Sequence, residues 1–420
     1  MRDIDEKQKA AVHKDRHPTS FLPEPAPRGV FCPLISVDDH VLEPPDIFSK
    51  RVPVRLRDAV PYIEYMPDGL PIWTIEGTRL GITTGNGSSG RPIAEWNNEA
   101  QKYEDFRVGV WDPKARLADM DLNGVWASVL FPSTIWGFAG TRFVRMQNKE
   151  AGLYSLRAYN DWMIEEWTAA APDRYIPSQC AWLGDPTVAA TEVRRNAERG
   201  FKAISFMENP EGLGLPSLYT EYWDPFFEAC ADTDSVINLH VGSRGSVTIP
   251  SDASPKEVSL ALFPVNSMAA LVDWIYSRVP LRFPTIRIAM SEGGVSWVPM
   301  IIERLARVHR QLDASLTWYA TDPSPVDVLH RNFWFASIED PSAFQLLDLI
   351  GEDRVMVETD YPHSDSSWPD SQALIKSSIE HLPPSTVRKI CYGNASKLYR
   401  HPVPPAGFFA LSEIEAKIDA

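Results

Sequence analysis

The sequence predicts an α/β fold, a (β/α)8 barrel of the TIM type with a β-rich cap inserted after its first strand. Three observations lead there. Eight short apolar runs of strand character recur along the chain, each followed by a stretch of helical spacing or by a crossover. Strands that alternate with helices pair in parallel through right-handed crossovers, and eight such units over about 370 residues suit one closed barrel with insertions. No Gly-rich phosphate loop follows the first run, which sets aside the open doubly wound sheet.

The elements follow in order. Residues 1–32 are polar and then Pro-rich (PTSFLPEPAPRG) and read as an N-terminal extension over the surface. The barrel spans 33–400, and its first strand is PLISVDDH (33–40). Residues 44–115 break the rhythm with many Pro, Gly and aromatic residues. Strand-like pieces such as LPIWTIEG (70–77) mark this insertion as the cap. Strands two to five are 124–133, 175–183, 201–207 and 235–242, followed by helices at 148–171, 186–200, 219–234 and 258–277. Strands six to eight are 285–294, 332–340 and 354–363, with helices at 297–312, 342–351 and 372–382. Residues 401–420 read as a C-terminal tail.

Composition narrows the function. The 420 residues are 44% hydrophobic and 23% charged, as expected of a chain with a packed core. A formal charge of −15 argues against nucleic acid, whose phosphates need a basic surface. A small basic patch can still meet an anionic substrate. Cys32, Cys180, Cys230 and Cys391 are scattered, with no CxxC pair, and read as reduced buried thiols. The charged N-terminus lacks an apolar leader, and no apolar run approaches the ~20 residues of a membrane span. A cytoplasmic protein acting on a small molecule is expected; self-association into a homo-oligomer stays open.

In such a barrel the chemistry sits at the C-terminal ends of the strands. The first strand ends in Asp38-Asp39-His40, with Glu43 three residues on. Positions i and i+2 of a strand share a face, so Asp38 and His40 point together and Asp39 points away. The fifth strand ends in His240, the sixth in Glu292 before Gly293-Gly294, and the eighth in Asp360-Tyr361-Pro362-His363. A strand-end His alone is ordinarily a hydrogen-bonded structural residue, and a strand-end Asp alone a helix cap. Four strand ends offering such groups at one face form a donor set suited to a divalent metal, with Asp38, His40, His240 and Asp360 as its centre.

These motifs, in this order along residues 33–400, resemble the amidohydrolase superfamily, in its aminocarboxymuconate-semialdehyde-decarboxylase-like branch. In the decarboxylases of that branch one metal is held by His-x-His on strand one, His on strand five and Asp on strand eight, with a further His on strand six. Here Asp38 stands for the first His, and Glu292 stands where the strand-six His is expected. The branch also includes dinuclear non-haem iron thioesterases that release diterpenoid acids from coenzyme A, and the Asp38-x-His40-x-x-Glu43 opening is similar to that type.

Charge and ligand number point the same way. Asp38, Glu43, Glu292 and Asp360 bring four negative charges to one pocket, which two divalent ions balance. With His40, His240 and His363 they make seven ligands, a set suited to two ions of iron, zinc or manganese. The expected function is hydrolysis of a carbonyl substrate by metal-activated water, with Asp360 or His363 moving the proton. The resemblance narrows the substrate to an acyl-CoA thioester with a bulky apolar acyl group. Arg51, Arg55, Arg57, Arg79 and Arg91 in the insertion are candidates for its phosphates. Two alternatives stand beside this: a metal-dependent decarboxylase or hydratase of an aromatic or dienoic acid, and a non-catalytic binding barrel. Lys202 lies at the wrong end of its strand to bridge metals.

Overall fold

A computed structural model describes residues 2–3, 19–133, 135–243, 246–311, 318–409 and 412–419. Half of the N-terminal extension, residues 1 and 4–18, lies outside the described residues, as do 312 at the end of the sixth-strand helix and 410, 411 and 420 in the tail.

Eight parallel strands close into a barrel in chain order. They are β1 Leu34–His40, β2 Val125–Phe131, β3 Tyr175–Cys180, β4 Ala203–Phe206, β5 Val236–His240, β6 Arg287–Ser291, β7 Phe333–Ser337 and β8 Val355–Val357. Every residue of β1 to β5 and β8 is buried. Barrel strands are covered on both faces, so they read as near-continuous apolar runs such as Val-Trp-Ala-Ser-Val-Leu-Phe in β2. Each of the eight expected strands is present.

Helices cover the barrel. The helix Pro186–Glu198 shows how sequence sets an end: the Asp185 side chain accepts from the amides of Thr187 and Val188, and Pro186 occupies the first turn. Helices at Ala115–Leu122, Pro325–Asn332 and Asn394–Tyr399 were not expected from periodicity. They are eight, eight and six residues long, too short for a clear helical repeat. The C-terminal tail also carries a helix, Glu413–Asp419, whose first amides bond to the Val30 and Phe31 carbonyls.

One expectation needs correction. The stretch Lys256–Tyr276 has a mean hydropathy of 1.5 and is long and apolar enough to span a membrane by composition alone. In the fold it divides into helices Lys256–Ala261 and Pro264–Tyr276, and the second lays Trp274 against Phe206 and Phe227. It is part of the barrel's outer layer.

The insertion contains a three-stranded antiparallel sheet, Tyr62–Tyr65, Pro71–Ile75 and Thr78–Gly81. Its central strand is wholly buried, and Trp73 packs edge-on against Phe48 and Trp136, joining the sheet to the loop after β2. Farther along, the amides of Ser88 and Ser89 both donate to the Pro362 carbonyl, which moors the insertion to the loop after β8. All four cysteines are buried, as expected.

Candidate metal centre

The site is built where β1 meets β8. Between Ser36 and Asp39 the pairing of β1 with β2 slips by one residue, a bulge that re-aims the side chains around Asp38. Beyond the ladder, the Asp360 amide donates to the Asp38 carbonyl at 2.9 Å and the His40 amide to the Tyr361 carbonyl at 2.7 Å. Asp38 and His40 therefore face the same centre, and Asp39 turns away to Ser128, Thr359 and the Tyr361 amide.

Both central histidines have a fixed tautomer. His40 Nδ1 lies 3.1 Å from the Pro132 carbonyl and His240 Nδ1 lies 2.7 Å from the Val241 carbonyl. A carbonyl only accepts, so each Nδ1 carries the hydrogen and each Nε2 presents its lone pair to the centre. The two Nε2 atoms are 3.2 Å apart. His40 Nε2 is 3.2 Å from Asp38 Oδ1 and 3.3 Å from Asp360 Oδ1. His240 Nε2 is 3.4 Å from Asp38 Oδ2 and 3.3 Å from Glu292 Oε2. His363 Nδ1 is 3.1 Å from Asp360 Oδ1, and the rings of His363 and His40 stack at 3.6 Å.

Donors of this kind fit a divalent cation. Both oxygens of Asp38, both of Asp360, Glu292 Oε2 and His363 Nε2 are buried without a hydrogen-bond partner among the described residues. Leaving such groups unsatisfied costs on the order of 1–3 kcal/mol each, more for charges. Ligand atoms about 2.0–2.2 Å from a tetrahedral ion stand roughly 3.3–3.6 Å apart, close to the spacings found here. Two triads, Asp38–His40–His240 and His40–Asp360–His363, each hold their ligand atoms within 4.8 Å of one another.

Electrostatics agree. Burial, then the charges of Asp360 and Asp39, push the Asp38 carboxyl well above the usual carboxylate range. Burial, then Asp360 and Asp38, do the same to Glu292. Burial would also raise Asp360, but His363 and His40 outweigh it and hold that carboxyl low. Burial and the neighbouring His40 depress both His240 and His363, favouring the neutral imidazoles that metals bind. Glu292 and Asp360 also adopt left-handed backbone conformations, φ 58° and 47°, strain of a kind that collects at functional sites. The Gly-Gly turn after β6 has a steric reason: a Cβ on Gly293 would lie 2.2 Å from Ser267 Oγ.

Six of the seven expected ligands meet at this centre. Glu43 is turned elsewhere: it accepts from the Ser133 amide at 3.0 Å and the Ser133 hydroxyl at 2.7 Å. Burial raises its carboxyl to about 7. Two buried groups escaped the sequence reading. Glu358 Oε2 accepts from the Glu292 amide at 3.0 Å and holds the β6 turn. Arg116 donates to the His40 carbonyl at 2.6 Å and its charge faces Asp39. Nothing in the sequence distinguishes Arg116 from a surface arginine.

The insertion arginines do not form one cluster. Arg51 pairs with Glu166, Arg55 with Glu150 at 2.6 Å and Arg79 with Glu64 at 3.4 Å, while Arg57 is exposed. Arg91 is buried and lines a cavity of about 520 Å³ that reaches His363. A larger cavity of about 730 Å³, between Val144 and Leu215, contains none of the candidate ligands. Lys202 directly precedes β4, at the end of the barrel away from this chemistry.

The amidohydrolase family profile matches residues 105–401, which takes in β2 to β8. The chain is 26% identical over 304 residues to a 2-amino-3-carboxymuconate-6-semialdehyde decarboxylase of Dictyostelium discoideum, covering 70% of this chain and 78% of that one. Among solved structures it resembles an amidohydrolase of Mycobacterium avium subsp. paratuberculosis (TM-score 0.69, 21% identity, 88% of this chain and 99% of that one). It also resembles a 5-carboxyvanillate decarboxylase of Novosphingobium aromaticivorans solved with manganese and 4-hydroxy-3-methoxy-5-nitrobenzoic acid (TM-score 0.62, 18% identity, 88% and 96%).

Proposed function

This chain belongs to the amidohydrolase family, and from that premise we propose that it decarboxylates an aromatic or dienoic carboxylic acid using one divalent cation. The observation that carries this reading is the set of buried, unpartnered ligand atoms gathered by Asp38, His40, His240 and Asp360. The similarity to a decarboxylase supports the reaction class.

One ion suits the donors better than two. With Nδ1 committed to Pro132, His40 has a single lone pair, so the two triads that share it cannot both be filled. Glu43 is occupied by Ser133, which leaves Asp38 and Asp360 as the carboxylates of the two triads against one divalent ion. An all N/O donor set suits manganese, the metal bound by the Novosphingobium enzyme, and also iron or zinc.

A bound cation would polarise the substrate and take up the negative charge that develops on it. The remaining work falls to the chain. When the bond to the departing carboxylate breaks, carbon dioxide leaves and its electron pair stays on the carbon, which then takes a proton. His363 first takes a proton from solvent at Nε2 and then delivers it to that carbon, while the Asp360 carboxylate beside Nδ1 stabilises the transiently charged ring. Phe138, stacked on His240 at 3.8 Å, and Phe131 wall the centre against water.

Hydrolysis of a carbonyl substrate is the second reading. The same His363–Asp360 pair could take a proton from water, and Glu292 supplies an additional acid next to His240. Its thioesterase form draws no support from the arginines, three of which are paired with surface acids. The test is product analysis of metal-loaded protein against aromatic acids, acyl-CoA thioesters, amides and simple esters. Carbon dioxide from an acid is the expected product. Free thiol or amine, with no carbon dioxide, overturns the first reading in favour of the second.

A further inference from the structure

Arg116 lies on the helix Ala115–Leu122, just ahead of β2, and its side chain is fully buried. A buried guanidinium is costly unless its hydrogens and its charge are met. Here they are met at the seam between β1 and the loop after β8. Nε donates to the Gly109 carbonyl at 2.5 Å and Nη2 to the His40 carbonyl at 2.6 Å. The guanidinium carbon lies 4.3 Å from the centre of the Tyr361 ring, and the charge faces Asp39. Three positions on, Asp119 shares the helix face with Arg116 and accepts from the Tyr361 hydroxyl. Arg107 in turn donates to Asp119 at 2.6 Å. One short helix thus grips both sides of the seam.

The consequence falls on His40, the last residue of β1. Its amide donates to the Tyr361 carbonyl at 2.7 Å, its carbonyl accepts from Arg116, and its Nδ1 donates to the Pro132 carbonyl at 3.1 Å. These bonds engage every polar group of the residue except Nε2, the atom it offers to the centre. His40 belongs to both ligand triads, so its placement matters to either. Tyr361 follows Asp360 directly and begins the turn to His363, so the contact with its ring also bears on the segment that carries those two ligands. Ligands held in place before the ion arrives bind it with less ordering cost.

We infer that Arg116 is a positioning residue of the metal centre. It holds His40 and the Asp360–His363 turn in ligating register, and the shape of the guanidinium does this beyond its charge opposite Asp39. A planar fork spans two carbonyls while its face lies on an aromatic ring; an ammonium offers neither the fork nor the flat face. The role rests on the divalent-cation part of the reading above and not on the reaction.

Arg174 provides a matched control. It too is buried, donates to a strand carbonyl (Val125, at 3.0 Å) and lies over an aromatic ring (Trp126, at 5.3 Å), but at the opposite, N-terminal end of β2. The full chain, treated with chelator, is titrated with manganese by calorimetry. Arg116→Lys, which keeps the charge, should weaken binding about 10- to 100-fold, the scale for groups that support a metal ligand. Asp39→Asn/Arg116→Met removes both charges together and should weaken binding by a similar factor relative to Asp39→Asn; if Arg116→Lys does not fold, this pair decides alone. The visible absorption spectrum of cobalt-loaded Arg116→Lys should differ from that of the wild type, because its bands report ligand geometry. Arg174→Lys should melt lower with affinity and spectrum unchanged. Wild-type affinity and spectrum in the folded Arg116 variants reduce Arg116 to a counter-charge and overturn the role. An equal loss of affinity in Arg174→Lys also overturns it, since binding then follows stability alone. No manganese uptake by the wild type removes the metal centre and this role with it, whereas uptake that ignores Arg116 removes the role and keeps the centre.

Discussion

Asp38 and Asp39 are neighbours on one strand, both buried, and their surroundings are opposite in kind. Among the described residues both Asp38 oxygens are without a hydrogen-bond partner, and they face two imidazoles and two further acids. Asp39 is saturated: Ser36, Ser128, Thr359 and the Tyr361 amide bond to it, and Arg116 supplies a counter-charge. The difference teaches how to tell a functional acid from a structural one. A structural carboxylate completes its bonds within the fold, whereas a functional one is left short of a partner that has to arrive.

The largest expected effect tests that incompleteness. Chelation should abolish turnover, and manganese, iron or zinc should restore it, with elemental analysis giving close to one equivalent per chain. Two equivalents would return Glu43 and Glu292 to the ligand set. Asp38→Asn should lose metal yet melt higher than the wild type when both are chelated. The sign follows because burial and Asp360 raise the folded Asp38 pKa, so its charge destabilises the metal-free fold at neutral pH.

Asp360→Asn should retain the fold and lose activity by about 10²-fold or more, the scale of lost proton transfer. Wild-type turnover in a metal-loaded variant would remove Asp360 from the mechanism.

Next come two stability effects. The folded carboxyl of Glu43 titrates at about 7 and the unfolded one near 4.5. Between these values the folded state holds more protons than the unfolded state, so the Glu43 contribution declines as pH rises through that window. Glu43→Gln should then stabilise by up to about 3 kcal/mol at pH 8 and by almost nothing at pH 4, with metal content unchanged. Asp39→Asn should do the reverse of Asp38→Asn: it leaves donors among Ser128, Thr359 and the Tyr361 amide without an acceptor, a loss of about 1–3 kcal/mol in thermal melts that outweighs the relief of a buried charge, with metal retained. Loss of metal in Asp39→Asn would erase the contrast between the two aspartates.

The smallest effect belongs to the surface. Arg55→Ala and Arg57→Ala should each leave the melting temperature essentially unchanged, since exposed charges contribute little to stability. They should leave KM unaltered for any substrate. A raised KM for an acyl-CoA thioester alone would restore the coenzyme A reading.

Much of this was legible in the residues themselves. All eight strands are marked by apolar runs, because a barrel strand must be buried on both faces. The alternation of Asp38, Asp39 and His40 follows from the two-residue period of a strand. What escaped depends on distances between remote segments. Glu43 looked like a ligand by spacing, and only the approach of the Ser133 loop shows where its oxygens go. The cavity around Arg91 needs residues 22 and 363 to meet residue 89, a relation that no local pattern encodes. Arg116 and Glu358 act on backbone groups, which leave no trace in side-chain motifs.

The seam between β8 and β1 has a consequence for biogenesis. β8 is three residues long and its ladder to β1 is the single pair Val357–Ser36. The bonds that reinforce it, from the amide of Asp360 to Asp38 and of His40 to Tyr361, tie the beginning of the barrel to its end. About 320 residues separate these partners. At translation rates of roughly 5–20 residues per second, some tens of seconds pass between synthesis of Asp38 and of Asp360. Until Asp360 is made, the nascent chain has at most three of the four central ligands and lacks the seam bonds that hold Asp38 and His40 in place. Metal capture is therefore an event of the finished polypeptide, and a chain truncated before residue 360 should leave the ribosome unable to hold the ion however much of the barrel it has made.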